Sequence, residues 1–374
     1  EQDEEGGLRF YGKSKENRPL PIVEMGMFID HEGIPLAVSI HPGNTNEQVT
    51  MRPLEKKILQ DYRLSKFIVC ADAGLSSNAN KRYNSVQDRS FVVTQSIKKL
   101  KKELREWALS PDGWRLAGSK GSKDHSRLFN INEIDKEKYH DSIFFKERWV
   151  DHNSFEEKLI VTFSLKYKDY QENIRSCQIS RAEKAISSGA SRISKKNSND
   201  YRRLIEKISS TDDGECATKH TYQLNKAVIE EEKRYDGFYA VCSNLDDDVE
   251  EIVKVNKYRW KIEECFRIMK TDFEARPVYV SDAARIKAHF LTCYLALVVY
   301  RYLEKKLDRK YTCDQILGTL KSMRVREIIG EGYIPSYTRT DITDALHDAA
   351  GFRTDYNIMT KKKIKTILKE SKSR

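Results

Sequence analysis

Arg259, Glu263 and Lys270 offer a carboxylate between two cations, and their spacing within Arg259-Trp260-Lys261-Ile262-Glu263 and on to Lys270 places all three on one side of an expected helix. At about 100° per residue, Arg259 and Glu263 lie about 40° apart and Glu263 and Lys270 about 20° apart. Tyr258, Ile262, Phe266 or Cys265, Met269 and Phe273 form the complementary apolar stripe that would seat this helix on a core. A carboxylate on a rigid helix can bind a divalent ion while flanking cations hold phosphate oxygens, which is what metal-dependent phosphoryl transfer requires. An amphipathic helix with a solvated charged face and an Arg–Glu i,i+4 pair of a few tenths of a kcal/mol accounts for the same spacing.

A second carboxylate gives the first a partner. Phe67-Ile68-Val69-Cys70-Ala71 is a continuous apolar run, the pattern of a strand covered on both faces. It ends at Asp72, followed by Ala73-Gly74, and in open α/β sheets ligand chemistry collects at the carboxyl ends of strands. A lone Asp there is more often a turn or cap residue than a metal ligand. Two carboxylates without Cys or His companions suit Mg2+ or Mn2+, hard ions that prefer oxygen. A pair of such ions can activate a nucleophile and stabilise the leaving oxygen in phosphodiester cleavage.

The elements that would position these groups follow from periodicity. Val23, Met25, Met27 and Ile29 alternate, then Ile34, Leu36, Val38 and Ile40 after the turn Asp30-His31-Glu32-Gly33, which predicts a hairpin with one apolar face. A helix is expected from an N-cap at Thr50, with Pro53 in its first turn, to about Tyr62, with Leu54, Ile58 and Leu59 inward. Strands are expected at Phe91 to Thr94, Leu159 to Phe163 and Gly237 to Cys242, with basic helical sequence opening at Lys98-Lys99-Leu100-Lys101-Lys102 and again around 170–208. A second helix follows from about Ala283 to Lys306, whose apolar run His289 to Tyr300 is too short for a membrane span and reads as buried. Lys361-Lys362-Lys363-Ile364-Lys365 is a basic helix or arm near the end.

The chain has 374 residues, net charge +10 and 33% charged residues, so a polyanion, nucleic acid first, is the expected partner. Seven scattered cysteines without zinc or redox spacing point to free thiols in a reducing cytoplasm. The acidic start Glu1-Gln2-Asp3-Glu4-Glu5 is not a signal peptide.

An ordered series of stretches resembles the DDE transposases of bacterial insertion sequences, in the branch with a Tyr-x2-Arg-x3-Glu-x6-Lys signature. Arg259, Glu263 and Lys270 match it in identity and spacing, while Asn256 stands in the Tyr slot. Tyr11-Gly12-Lys13-Ser14-Lys15, Gly33-Ile34-Pro35-Leu36, Pro42-Gly43-Asn44, Asp72-Ala73-Gly74 and Arg276-Pro277-Val278-Tyr279 belong to the same series, which covers most of residues 8–305. The resemblance implies an α/β fold: an RNase H-like catalytic core, a mixed sheet flanked by helices, interrupted by a β-containing insertion domain and followed by a helical C-terminal region. The corresponding divisions are 1–96 (first part of the core, its opening strand missing), 97–235 (insertion), 236–310 (second part of the core, with the Glu-bearing helix) and 311–374 (basic helical tail). Asp72 and Glu263 take the places of two catalytic acids at a two-metal Mg2+ or Mn2+ site. Arg259 and Lys270 take those of phosphate contacts, with Asn256 a weaker one and Lys13 and Lys15 further candidates. Activity would be DNA strand cleavage and transfer at element ends, on nucleoid DNA, by a homo-oligomer assembled there, with no membrane partner. The first catalytic aspartate of the pattern is not found, since Asp3 lacks a strand context and Asp30 sits in a turn. The expectation is therefore an amino-terminally truncated transposase with impaired cleavage, or a remnant that only binds DNA or interferes with intact enzyme. His289 is expected to be a packed structural histidine and Trp260 a packing residue.

Overall fold

The computed structural model describes residues 7–12, 20–63, 67–118, 127–152, 154–189, 199–210 and 219–373. In chain order they form β1 (Val23–Ile29), β2 (Pro35–Pro42), α1 (Glu47–Tyr62), β3 (Phe67–Ala71), α2 (Asn78–Tyr83), β4 (Arg89–Gln95), α3 (Lys102–Leu109), β5 (Arg115–Leu116), β6 (Phe144–Asp151) and β7 (Glu156–Phe163). Then come α4 (Leu165–Ser187), β8 (Ile205–Ser210), β9 (Lys219–Leu224), α5 (Lys226–Lys233), β10 (Phe238–Ser243), α6 (Val249–Lys257), α7 (Trp260–Thr271) and α8 (Ala283–Lys306). α9 (Cys313–Ser322), β11 (Val325–Ile328), β12 (Gly332–Pro335), α10 (Asp341–Ala350) and α11 (Lys361–Ser373) complete the chain. The protein is mixed α/β and divides into two units, residues 1–64 with 258–374, and residues 65–257.

In the first unit the β1–β2 hairpin forms where alternation predicts it. Asp30 Oδ1 accepts from the backbone N–H of Glu32 (2.9 Å) and Ile34 (2.8 Å), and Gly33 takes φ of 91°, which the turn requires. Met25, Met27 and Ile29 pack against Cys265, Ile268, Met269 and Leu297, so the apolar face of the hairpin covers α7 and α8. α1 starts at Glu47, earlier than expected, because Asn46 caps it by accepting from the N–H of Gln48; Pro53 therefore lies inside the helix. α8 has the expected bounds, but only one side is buried: Ile286, Phe290, Cys293, Leu297, Tyr300 and Arg301 face inward, while Leu295 and Val299 are 54% and 68% exposed. By length and composition α8 would pass for a membrane span, yet its buried side belongs to the unit's core and carries a charged arginine.

The second unit is built on a six-stranded sheet in the order β3-β4-β10-β7-β6-β5, with β3–β4 parallel and the other pairs antiparallel. Val92, Ile160 and Val241 on the central strands are fully buried and pack with Val249 and Ile252 of α6. β3 is an edge strand with Ile68 46% exposed, so the continuous apolar run does not mean cover on both faces. Of residues 97–235, β5, β6 and β7 hydrogen-bond into this main sheet through β10. α4, α5 and the β8–β9 hairpin gather around a smaller cluster of Ala182, Leu204 and Ile229.

Candidate active site

Asp72 belongs to the second unit and Glu263 to the first, and each has its own local construction. Asp72 follows β3 directly, at the carboxyl end of the parallel β3–β4 pair. Its Oδ1 accepts from the backbone N–H of Gly74 (2.9 Å) and Leu75 (3.2 Å), closing an Asx-type turn. A Cβ on Gly74 would come within 3.1 Å of that oxygen, so glycine leaves the carboxylate room to sit in the turn. The side chain is exposed and Oδ2 has no hydrogen-bond partner among the described residues. The turn thus occupies one carboxylate oxygen and leaves the other exposed.

The helix expected to carry the Arg/Glu/Lys series is interrupted. α6 ends at Lys257, Tyr258 and Arg259 form a turn, and α7 begins at Trp260 with Arg259 as its N-cap. The turn is closed by the N–H of Lys261 on Tyr258 O (3.0 Å) and of Ile262 on Arg259 O (3.2 Å). Since Arg259 keeps helical dihedrals, Arg259, Glu263 and Lys270 retain the shared side predicted from spacing. Cys265, Ile268 and Met269 face the core; Phe266, the alternative to Cys265 in the expected stripe, is exposed. Glu263 is exposed, with no hydrogen bond or ion pair to a described residue. Arg259 is half-buried and its Nε has no hydrogen-bond partner among the described residues. Trp260, expected to pack, is 55% exposed.

What fixes α7 is a residue that no motif pointed to. Arg301 of α8 has a side chain 5% exposed and pairs at 2.8 Å with both Glu264 on α7 and Glu304 on its own helix. It also donates to Cys265 Sγ at 3.3 Å, so both neighbours of Glu263 on its C-terminal side are held by one guanidinium. Lys261 adds a second tie, donating to the His31 carbonyl at 2.7 Å, and its pKa is lowered first by burial and then by Arg309. The signal for Arg301 lay in a lone arginine within the apolar register of α8, which composition alone could not distinguish from a surface charge.

Asn256 is 5% exposed and donates to Tyr239 Oη at 2.8 Å, while Tyr239 Oη meets Thr94 Oγ1 at the same distance. The amide ties α6 to β10 and β4, a packing role that leaves the expected phosphate contact without an exposed donor. Lys13, Lys15 and Asp3 lie outside the described residues. His289 is the structural histidine expected: Nε2 lies 3.1 Å from the Ala275 carbonyl.

One further group of metal-type side chains occurs among the described residues: Asp344, His347 and Asp355, with ligand atoms within 4.8 Å of one another. Arg353 takes both oxygens of Asp355, by Nε at 3.0 Å and Nη2 at 2.7 Å, and also bonds Asp344, whose oxygens each receive Arg339 Nε at 2.9 Å. Hydrogen bonding to Arg353 holds the Asp355 carboxyl down to about 2. The His347 Nε2 accepts the N–H of Thr354 at 3.3 Å, which fixes the proton of the neutral ring on Nδ1. With its carboxylates committed to two guanidiniums, this is an ion-pair cluster that a cation would have to take apart.

By contrast, Asp72 Oδ2 in one unit and the Glu263 carboxylate in the other each have no hydrogen-bond or ion-pair partner among the described residues, and carboxylate oxygens are the donor type that hard divalent cations take. No curated relative matches the chain. Residues 9–299, which contain Asp72, Arg259, Glu263 and Lys270, match the family described as "Transposase DDE domain". That span is well over half of the sequence, and the chain belongs to the DDE transposase family.

Proposed function

We propose that this protein cleaves DNA strands and joins the freed 3′ end to target DNA at the ends of an insertion sequence, using Asp72 and Glu263 as the acids of an RNase H-like catalytic core. The observation that carries the proposal is that a DDE family match spans two exposed carboxylates: Asp72 at the end of a parallel strand, whose Oδ2 has no hydrogen bond among the described residues, and Glu263 on a clamped helix. A divalent ion of the Mg2+ or Mn2+ class, when bound, supplies activation of the attacking hydroxyl and neutralisation of charge at the leaving oxygen. Asp72 and Glu263 would hold it. Arg259 would grip a phosphate in bidentate fashion and Lys270 would meet another as a point charge. Water attacks the scissile phosphodiester first, releasing a 3′-hydroxyl, which then attacks a target phosphodiester and displaces its 3′ oxygen.

The test is a nicking assay on duplexes carrying the element's ends, with Mn2+ as the permissive ion. Nicking by the wild-type chain that vanishes in Asp72→Ala and in Glu263→Gln, with DNA binding intact in both, is the expected outcome. DNA binding without nicking in the wild-type chain would replace the catalytic reading with a DNA-binding one.

A further inference from the structure

We propose that α11 is a contact to the phosphate backbone of DNA, made by a one-sided stripe of lysines. The choice of DNA as the polyanion rests on the reading above. With Lys361 at the origin and about 100° per residue, Lys372, Lys365, Lys369 and Lys362 fall at about 20°, 40°, 80° and 100°. Ile367 and Ile364 fall at about 240° and 300°, on the other side of the helix. The five lysines are exposed, while Ile367 is 7% exposed and sits in the core.

The helix that presents the stripe is tied down. Tyr333 and Met359 exchange backbone hydrogen bonds (2.8 and 2.7 Å) just ahead of α11, and Lys361 pairs with Glu327 of β11 at 3.1 Å. Lys363, off the stripe, lies over the Tyr356 ring at 5.5 Å. Lys361, Lys365 and Lys369 rise about 6 Å per step. Cations repeated at that step along one face can each meet a separate phosphate of a polyanionic strand. Glu370 is the single acid of α11 and lies off the stripe, at about 180°. A helix lying on a membrane surface would need its whole apolar face free to enter the lipid, and here Ile367 is buried against the protein, leaving Leu368, 56% exposed, as the one large apolar side chain of α11 open to solvent. The stripe lies beyond the residues that match the transposase family.

The experiment is the salt dependence of duplex binding by the full chain, followed by fluorescence anisotropy on a mixed-sequence duplex between about 50 and 200 mM salt. Lys365→Gln/Lys369→Gln/Lys372→Gln should lower the slope of log K against log salt by up to about 2.7, because each phosphate contact contributes about 0.9. Over that fourfold salt range the wild-type chain would then lose about 40-fold more affinity than the triple variant. The triple Lys→Arg variant should keep the wild-type slope, and both should melt with the wild type. A wild-type slope in the Gln variant overturns the proposal, as does an unchanged slope accompanied by loss of binding to phosphatidylserine vesicles. Asp72→Ala separates the two readings: it should bind with the wild-type slope and fail to nick. Loss of nicking there, with no slope change in the lysine variant, refutes the stripe and leaves the active site standing. No salt-dependent binding by the wild-type chain refutes both.

Discussion

Replacing Arg301 by methionine should loosen the helix that carries Glu263, and the cost follows from what Arg301 touches. Its guanidinium is nearly enclosed and neutralises Glu264 and Glu304, whose side chains are only 25% and 12% exposed. Methionine fills much of the volume but leaves two poorly solvated carboxylates facing one another, the situation in which a broken buried pair costs about 3–5 kcal/mol. In a unit of this size each kcal/mol shifts the melting midpoint by about 2–4 °C, so Arg301→Met should lower it by about 6–20 °C. Differential scanning calorimetry measures the midpoint, and hydrogen exchange should show protection lost first in α7. The triple change Arg301→Met/Glu264→Leu/Glu304→Leu removes all the charges together and should recover most of the loss, because an apolar replacement of a buried ion cluster is often neutral or better. A single variant melting with the wild type, or a triple variant no more stable than the single, would refute the clamp.

Asn256→Ala should cost about 1–3 kcal/mol in urea unfolding by leaving Tyr239 and Thr94 short of a partner, while the salt slope of DNA binding stays at the wild-type value. Gly237→Ala should destabilise by at least about 1–3 kcal/mol, since φ is 82° and the new Cβ would stand 2.8 Å from the Phe163 ring and 2.9 Å from the Ser164 carbonyl; equilibrium unfolding measures it. His347 gives an acid dependence with a definite sign. Burial lowers its pKa from the usual 6.5, so the unfolded chain takes up a proton at a pH where the folded chain does not. Its contribution to stability is therefore complete above about pH 6.5 and is lost as the pH falls towards the folded value. His347→Gln should flatten the stability–pH curve just below 6.5, and the Arg353–Asp355 pair should hold until pH approaches about 2.

Much of the molecule was legible because short-range chemistry dictates it. The β1–β2 hairpin needs only alternation and an Asp–Gly turn, and Asp30 and Gly33 behave as that turn demands. Other features depend on tertiary context. Phe67 to Ala71 reads as doubly covered, yet whether a strand is central or at an edge is decided by pairing with other strands, and among the described residues β3 has a neighbour on one side only. The turn at Tyr258 and Arg259 carries no glycine or proline, so no local signal announces the break between α6 and α7. Asn256 stands where the motif has Tyr, and its environment, set by Tyr239 and Thr94, gives it a packing task. Of the candidate acids, position on a strand end and on a helix face could be read from spacing. The Arg301 clamp could not, because it joins two helices through side chains whose pairing no periodicity encodes.

Titration of Mn2+ into the full chain, followed by calorimetry and by loss of the free-ion electron paramagnetic resonance signal, shows whether Asp72 and Glu263 bind a divalent ion. Asp72→Ala and Glu263→Gln should each weaken Mn2+ binding at least tenfold, while Asp355→Asn, in the arginine-held cluster, should leave it unchanged. Mn2+ binding that survives both acid substitutions, or that depends on Asp355 instead, would contradict that role.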